Sequence, residues 1–544
     1  MFETATAFNQ PINNWNVANV TTMESMFKGA TAFNQPLTNW DVTSVSTMEE
    51  MFENADAFDN DISSWDVINV NDMQEMFYSA DTFNQSIDAW NVSNVSNMSQ
   101  MFASASDFNQ PLNNWNVSSV TTMYRMFSSA SSFNQPLNAW NVSSVTNMSG
   151  MFFNAVLFNQ NINSWNITNV LTTSSMFENA IAFNEPLNQW DVNSVVNMSS
   201  MFEGATLFNQ PIDNWDVSAV ATMSSMFEDA TSFDQPLSSW DVSSVTLTNA
   251  MFKGATLFNN PINNWDVASV TNMMSMFEDA VAFDQPLNSW DTGEVQNMQE
   301  MFKGATLFNQ DIDAWDVSFV TTMEEMFRDA STYNQAMNSW NVASVTTMEG
   351  MFQDATSFNS ERNSWNVRKV ITMENMFYGA SVFNQTLNNW RVTGVESMEN
   401  MFRDAIAYNQ SMDAWNIGTV TMRSMFRDAT AFNQNMVSWD MSNVTNVNNM
   451  LDDTALTREN YDATLIAWSD LILTPGLTLG ANTLLYCDAL QERQAIIDNY
   501  GWTIVGDVLD CPIPECTQLI LPLNAATDVP VNTNLTCYLP VDTN

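Results

Sequence analysis

Ile12-Asn13-Asn14-Trp15-Asn16-Val17-Ala18-Asn19-Val20-Thr21-Thr22-Met23-Glu24-Ser25-Met26-Phe27-Lys28-Gly29-Ala30-Thr31-Ala32-Phe33-Asn34-Gln35-Pro36 is one period of a pattern that runs through most of the chain. Tryptophan returns every 25 residues from Trp15 to Trp415, and then at Trp439 after a one-residue deletion. A fixed period of this length marks a solenoid, in which each repeat is one coil laid on the last. A lone coil buries too little to offset the ordering of its backbone, so the core positions must repeat for neighbours to cover one another.

Within the period the apolar residues are Ile12, Trp15, Val17, Val20, Met23, Met26, Phe27, Ala30 and Phe33. Trp15 and Val17 alternate as in a short strand, with Asn14, Asn16 and Ala18 facing out. From Val20 to Ala30 the spacing becomes three and four, which predicts one apolar face of a short helix started near Thr21 or Thr22. Phe33-Asn34-Gln35-Pro36 then turns the chain back. The expected coil is therefore strand, helix, turn: an α/β repeat.

The chain of 544 residues carries 61 acidic and 14 basic residues, a net charge of −47, with no histidine. That charge disfavours nucleic acid and anionic membranes as partners. Lack of histidine removes the commonest general base and metal ligand. No acid–base pair, nucleophile or cofactor motif rises above the repeat, and the reading is of a protein that is not an enzyme. The four cysteines, Cys487, Cys511, Cys516 and Cys537, lie in the non-repeat tail and read as disulfides, with Cys487–Cys511 and Cys516–Cys537 the local pairing among three. They point to an oxidising, extracellular setting. No run of apolar residues is long enough to span a membrane. Met1-Phe2-Glu3 reads as the Met-Phe step inside a repeat, so a native amino-terminal cap is expected upstream.

The series Val-x-x-Met-x-x-Met-Phe-x-x-Ala-x-x-Phe-Asn-Gln, with Trp-Asp-Val in the strand places, resembles the BspA-like bacterial surface proteins and their 25- or 26-residue "lipoprotein" repeat. The match spans residues 1 to about 450. The resemblance implies a right-handed, leucine-rich-repeat-like solenoid of about 18 coils on a secreted or surface-anchored protein, and an association with adhesion. It brings no binding residues with it. Residues 451–510 read as a small α/β capping region, with Trp468 and Trp502 covering the last coil. Residues 511–544 resemble a linker and the opening of an immunoglobulin-like or fibronectin-like module.

Two columns invite a functional reading. The residue after each tryptophan includes Asp191, Asp216, Asp241, Asp266, Asp291 and Asp316 in succession. On a strand these carboxylates would face the concave surface, as a row of weak Ca²⁺ sites or a strip for polar sugars. The plainer reading is a side chain that accepts an N–H bond from its own turn, since Asn exchanges freely with Asp there. Asn34, Asn84 and Asn109, with Asp at 59, 234 and 284, read as a buried ladder bonding the neighbouring coil. Among the departures, Thr173 and Thr248 replace core methionines and Thr292 a strand valine. Eight basic residues (Arg328, Arg362, Arg368, Lys369, Arg391, Arg403, Arg423 and Arg427) crowd one stretch, where any anionic partner would be met. Arg362, Arg368 and Arg391 are its binding candidates.

Two functions are left open. One is an extracellular or cell-surface adhesion protein docking a protein or glycan on a host, neighbouring cell or matrix through the concave strand face. The other is a structural spacer with no ligand on its coils.

Overall fold

The computed structural model describes residues 1–511. Successive coils lie in parallel register, joined by single bridges from Thr22 to Thr47, Thr47 to Asp72 and so on to Asn446. The expected strand at Trp-x-Val does not form, and the bridge falls further along, at the Thr22 position. The expected helix does not form either: among the described residues helices occur only from Arg458 onward.

The reason is in the backbone. Ser25 and Gly29 take left-handed conformations, with φ of 54° and 68°, and a helix cannot continue through either. Hydrogen bonds then alternate. Met23, Ser25, Phe27 and Gly29 donate their N–H groups to Thr47, Glu49, Met51 and Glu53 of the next coil, at 2.6–3.1 Å. Met26, Lys28 and Ala30 donate back to Met23, Ser25 and Phe27 of their own coil. The three-and-four apolar spacing is thus met by tight turns, and every second amide is released to bind its neighbour coil.

Aromatic columns fill the interior. Phe27 stacks on Phe33 at 4.2 Å within its coil and on Phe52 at 5.4 Å in the next, while Trp40 lies parallel to Trp65 at 6.4 Å. From Trp40 to Trp415 each indole N–H is satisfied by the carbonyl 28 residues earlier, as Trp40 Nε1 by Ile12 at 3.1 Å, and after the deletion Trp439 reaches Met412, 27 residues earlier. Trp15, at the open end of its column, is 43 % exposed, whereas the stacked tryptophans from Trp40 to Trp439 are at most 4 % exposed. Polar departures are absorbed locally. Thr173 donates to Met201 Sδ at 3.3 Å, and Thr292 to the Asp316 carbonyl at 2.9 Å.

The deletion before Trp439 costs no ladder bond. Thr421 alone donates to the Glu396 carbonyl and accepts from Met398 N–H, two roles that Ser46 and Thr47 divide in a full coil. The shortened backbone passes so near its neighbour that a Cβ on Gly418 would sit 2.3 Å from the Thr393 carbonyl oxygen.

Between residues 179 and 304 a longer rhythm overlies the coils. Asn179, Asp229 and Asp279 alternate with Gly204, Gly254 and Gly304, all with positive φ. The side-chain oxygen of each Asn or Asp lies over the following glycine, 2.0–2.2 Å from where a Cβ would stand. Leu207, Leu257 and Leu307 ride the glycine coils and are exposed.

The carboxyl-terminal region continues the stack in other secondary structure. It comprises α1 (Arg458–Ser469), β1 (Thr478–Gly480), β2 (Leu485–Tyr486), α2 (Leu490–Tyr500), β3 (Thr503–Val505) and β4 (Val508–Leu509). β1 pairs with β3 and β2 with β4, both parallel. Leu451 and Asp453 donate to the carbonyls of Gly480 and Asn482, as if these belonged to another coil. Trp468 Nε1 donates to Met436 and Trp502 Nε1 to Thr474, and both indoles are buried. Asp462 of α1 is buried and accepts from the N–H groups of Cys487, Asp488 and Ala489, capping α2, whose own N-cap residue is Ala489. Cys487 and Cys511 form a disulfide. Cys516, Cys537 and the proposed immunoglobulin-like segment lie outside the described residues.

Candidate ligand-binding face

The tryptophan turn builds one continuous face. Trp points inward, and the next residue points out and accepts a bond from the N–H two residues on. Asp191, Asp216, Asp241, Asp266, Asp291 and Asp316 all do so through Oδ1, at 2.9–3.3 Å. These carboxylates therefore stand on turns, not on a strand. In Asp216 and Asp241 the same oxygen also takes the hydroxyl of Ser218 or Ser243 at 2.6 Å. The serine hydroxyl and then the backbone N–H hold both carboxyls below the usual aspartate range. These two keep their charge at neutral pH, and the first task of the column is to shape the turn.

Its carboxylates do not gather in threes around a point. The acidic triad that does so among the described residues is Glu50, Glu53 and Glu75, with ligand atoms within 4.8 Å. There the Lys28 ammonium already sits 2.7 Å from Glu50 and 2.6 Å from Glu53. Burial works to lower the Lys28 pKa, but the bonds to Glu50 and Glu53 raise it well above the ordinary value.

The Phe-Asn-Gln column is half-buried to exposed rather than buried. Asn9 Oδ1 accepts from Asn34 N–H and from the Gln35 side-chain amide; the backbone bond recurs in later coils, while at Glu185 the amide is missing and at Ser360 a hydroxyl takes its place. Asp59 serves as well as Asn, because this oxygen only accepts. In the cap, Thr457 N–H and the Asn460 amide bond Asn433 in the same way.

The basic stretch divides once the coils are stacked. Arg328 pairs with Glu325 at 2.7 Å, and Arg423 with Glu399 at 3.2 Å. Arg403 and Arg427 lie against Asp404 and Asp428. Arg362 is no surface residue. It occupies the core place of Ile12 and Leu37 and is fully buried, its guanidinium 4.9 Å from the Phe358 ring centre and 5.3 Å from Trp365. It donates to the carbonyls of Glu361 at 2.6 Å and Gln335 at 3.0 Å. Burial pulls its pKa down to about 10, so it remains charged.

Two depressions on the turn face occupy equivalent positions in different coils. The first, of about 650 Å³, is lined by Asn188, Pro211, Asp213, Asn214, Trp215, Asp216, Ser239 and Asp241. The second, of about 370 Å³, is lined by Asn363, Ser364, Trp365, Asn366, Val367, Arg368, Asn389 and Arg391. Arg368 and Arg391 thus come together, without Arg362, and Asp216 and Asp241 share the first depression with Asp213, which the sequence reading passed over. Asp213 sits two residues before the tryptophan, a place more often held by Asn, and it accepts from Ser239 N–H and Oγ of the next coil.

A stack of short, interlocked coils with shallow recesses along one face defines a tandem-repeat protein. The family model described as "Mycoplasma protein of unknown function, DUF285" matches in overlapping segments, residues 1–90, 54–162, 79–190, 175–290, 235–327, 282–390 and 360–464, and the chain belongs to that family. No curated protein matches the sequence. No helix among the described residues is long and apolar enough to cross a membrane.

Proposed function

We propose that this chain is a non-enzymatic, extracellular or cell-surface binding protein of the BspA-like kind, its coils forming a leucine-rich-repeat-like solenoid that docks protein or glycan. The docking surface is the tryptophan-turn face rather than a concave strand face. The observation that carries this reading is the pair of equivalent depressions, identical in backbone role and opposite in charge. Core columns hold the geometry constant, while the outward residues vary in chemistry from coil to coil, as a recognition surface requires. The Cys487–Cys511 disulfide supports an oxidising location. Probing the full chain against an array of glycans and matrix proteins tests the reading. Saturable binding lost on substitution of outward turn residues supports it, and absence of any binding would return the stack to the role of a spacer.

A further inference from the structure

We infer that the depression between the Trp365 and Trp390 coils binds an acidic polysaccharide, with Arg368 and Arg391 receiving its carboxylate or sulfate groups. The inference rests on the turn face being a binding face and names the ligand class of one site on it.

All fourteen basic residues fall within the described part of the chain, so their partners can be followed. Lys28, Lys253, Lys303, Arg328, Arg403, Arg423, Arg427, Arg458 and Arg493 are each within 4.0 Å of a carboxylate oxygen. Arg125 lies over the rings of Tyr124 and Phe153, and Arg362 is in the core. Arg368, Lys369 and Arg391 have neither a carboxylate partner nor an aromatic ring beneath them among the described residues, and two of them line one recess. In a chain of net charge −47, unpaired cations gathered at one place are where a polyanion escapes repulsion.

The recess is also locally free of acid. No carboxylate lines it, and the residues after the neighbouring tryptophans are Asn341, Asn366 and Asn416. Arg391 further gives up a structural bond. From Asn16 to Asn366 every residue in its column accepts from the N–H two positions on, as Asn341 does from Ala343, and arginine has no acceptor. A local rule broken without a structural gain marks a functional position.

The rim favours sugar over peptide. The side-chain amide nitrogens of Asn363, Asn366 and Asn389 and the hydroxyl of Ser364 carry no hydrogen bond within the described residues, leaving neutral donors for ring hydroxyls beside two guanidinium forks suited to carboxylate or sulfate.

Calorimetric titration of the full chain with a heparin hexasaccharide and a hyaluronan hexasaccharide, against neutral dextran and poly-glutamate, tests this. The comparison variant is Arg368→Ser with Arg391→Asn, which restores the common residues of both columns and so should fold. Expected are salt-sensitive binding of at least one acidic oligosaccharide by the wild type and a loss of tenfold or more in the double variant. Equal affinity in the two proteins, preference for poly-glutamate, or no binding to either hexasaccharide overturns the site. If the double variant keeps other ligands found on the array, the binding role of the face survives that failure.

Discussion

The depression at Asp213, Asp216 and Asp241 and the one at Arg368 and Arg391 share a scaffold and differ in charge. Beneath both, an indole is buried and tied to the carbonyl 28 residues earlier, Trp215 to Leu187 and Trp365 to Met337, each at 3.1 Å. In the acidic recess the charged groups are braced, Asp216 and Asp241 by their own turns and Asp213 by Ser239 of the next coil. The basic recess leaves its charges unbraced. In this fold, then, geometry is owned by the column and chemistry by the individual coil, and the charge of a recess changes with no change of backbone.

The comparison breaks most forcefully at the shared scaffold. Trp215→Ala and Trp365→Ala should each destabilise the stack by about 3–5 kcal/mol, read as matching falls in the urea midpoint. A large difference between them would mean that the two recesses do not rest on equivalent cores. Next in size is Arg362→Leu, which restores the common core residue. Replacing a buried charge that has no carboxylate partner by a fitting apolar side chain should stabilise by about 1–4 kcal/mol, with affinity at the basic recess unchanged. Loss of affinity would place Arg362 within reach of the ligand.

Smaller, and of opposite sign on the two recesses, are substitutions in the outward column. Arg391→Asn restores a turn bond and should raise stability by about 1 kcal/mol while removing anion binding, whereas Asp216→Ala should lower stability by a similar amount. Thermal melts of the two variants check the sign. The smallest effect is in pH. Asp216 and Asp241 have folded pKa values below the ordinary one, so their contribution is present above about pH 4 and is lost as pH falls through the folded values. Asp216→Asn with Asp241→Asn should flatten the acid limb of stability against pH, and an unchanged limb would detach these groups from the turn. Millimolar Ca²⁺ should leave the melting temperature unmoved, because the column's carboxylates do not converge. A rise reversed by chelator would assign the acidic recess a metal.

Much of the scaffold could be read from residues alone. Trp40 and its copies are interior, Asp41 and its equivalents brace their turns, and Asn34 bridges to the next coil, because each of these roles recurs at a fixed spacing. The helix was misread because Val20, Met23, Met26, Phe27 and Ala30 satisfy either a helix or tight turns. The signal against it was the next column, Gly29, Asn54, Ser79, Ser104, Ser129 and Asn154, whose residues suit positive φ better than a helix interior. The basic stretch was misread for another reason. An ion pair such as Arg423 with Glu399 joins residues 24 apart and appears only once the register of the stack is known. Arg362 stands in a core column, and there its position outweighs its charge, since the guanidinium is buried over the Phe358 ring.

The alternation of Asn179, Asp229 and Asp279 with Gly204, Gly254 and Gly304 bears on how such an array grows. Each acidic or amide side chain is accommodated by the bare backbone of the coil after it, so in this block the smallest self-consistent cassette is two coils, or 50 residues. Duplication of a pair reproduces every contact, whereas gain of a single glycine-free coil places Asn or Asp against another side chain, as Asp329 precedes Asp354 further along the stack. Repeat number in this block should therefore vary among relatives in even steps, and frequent odd steps would refute the pairing.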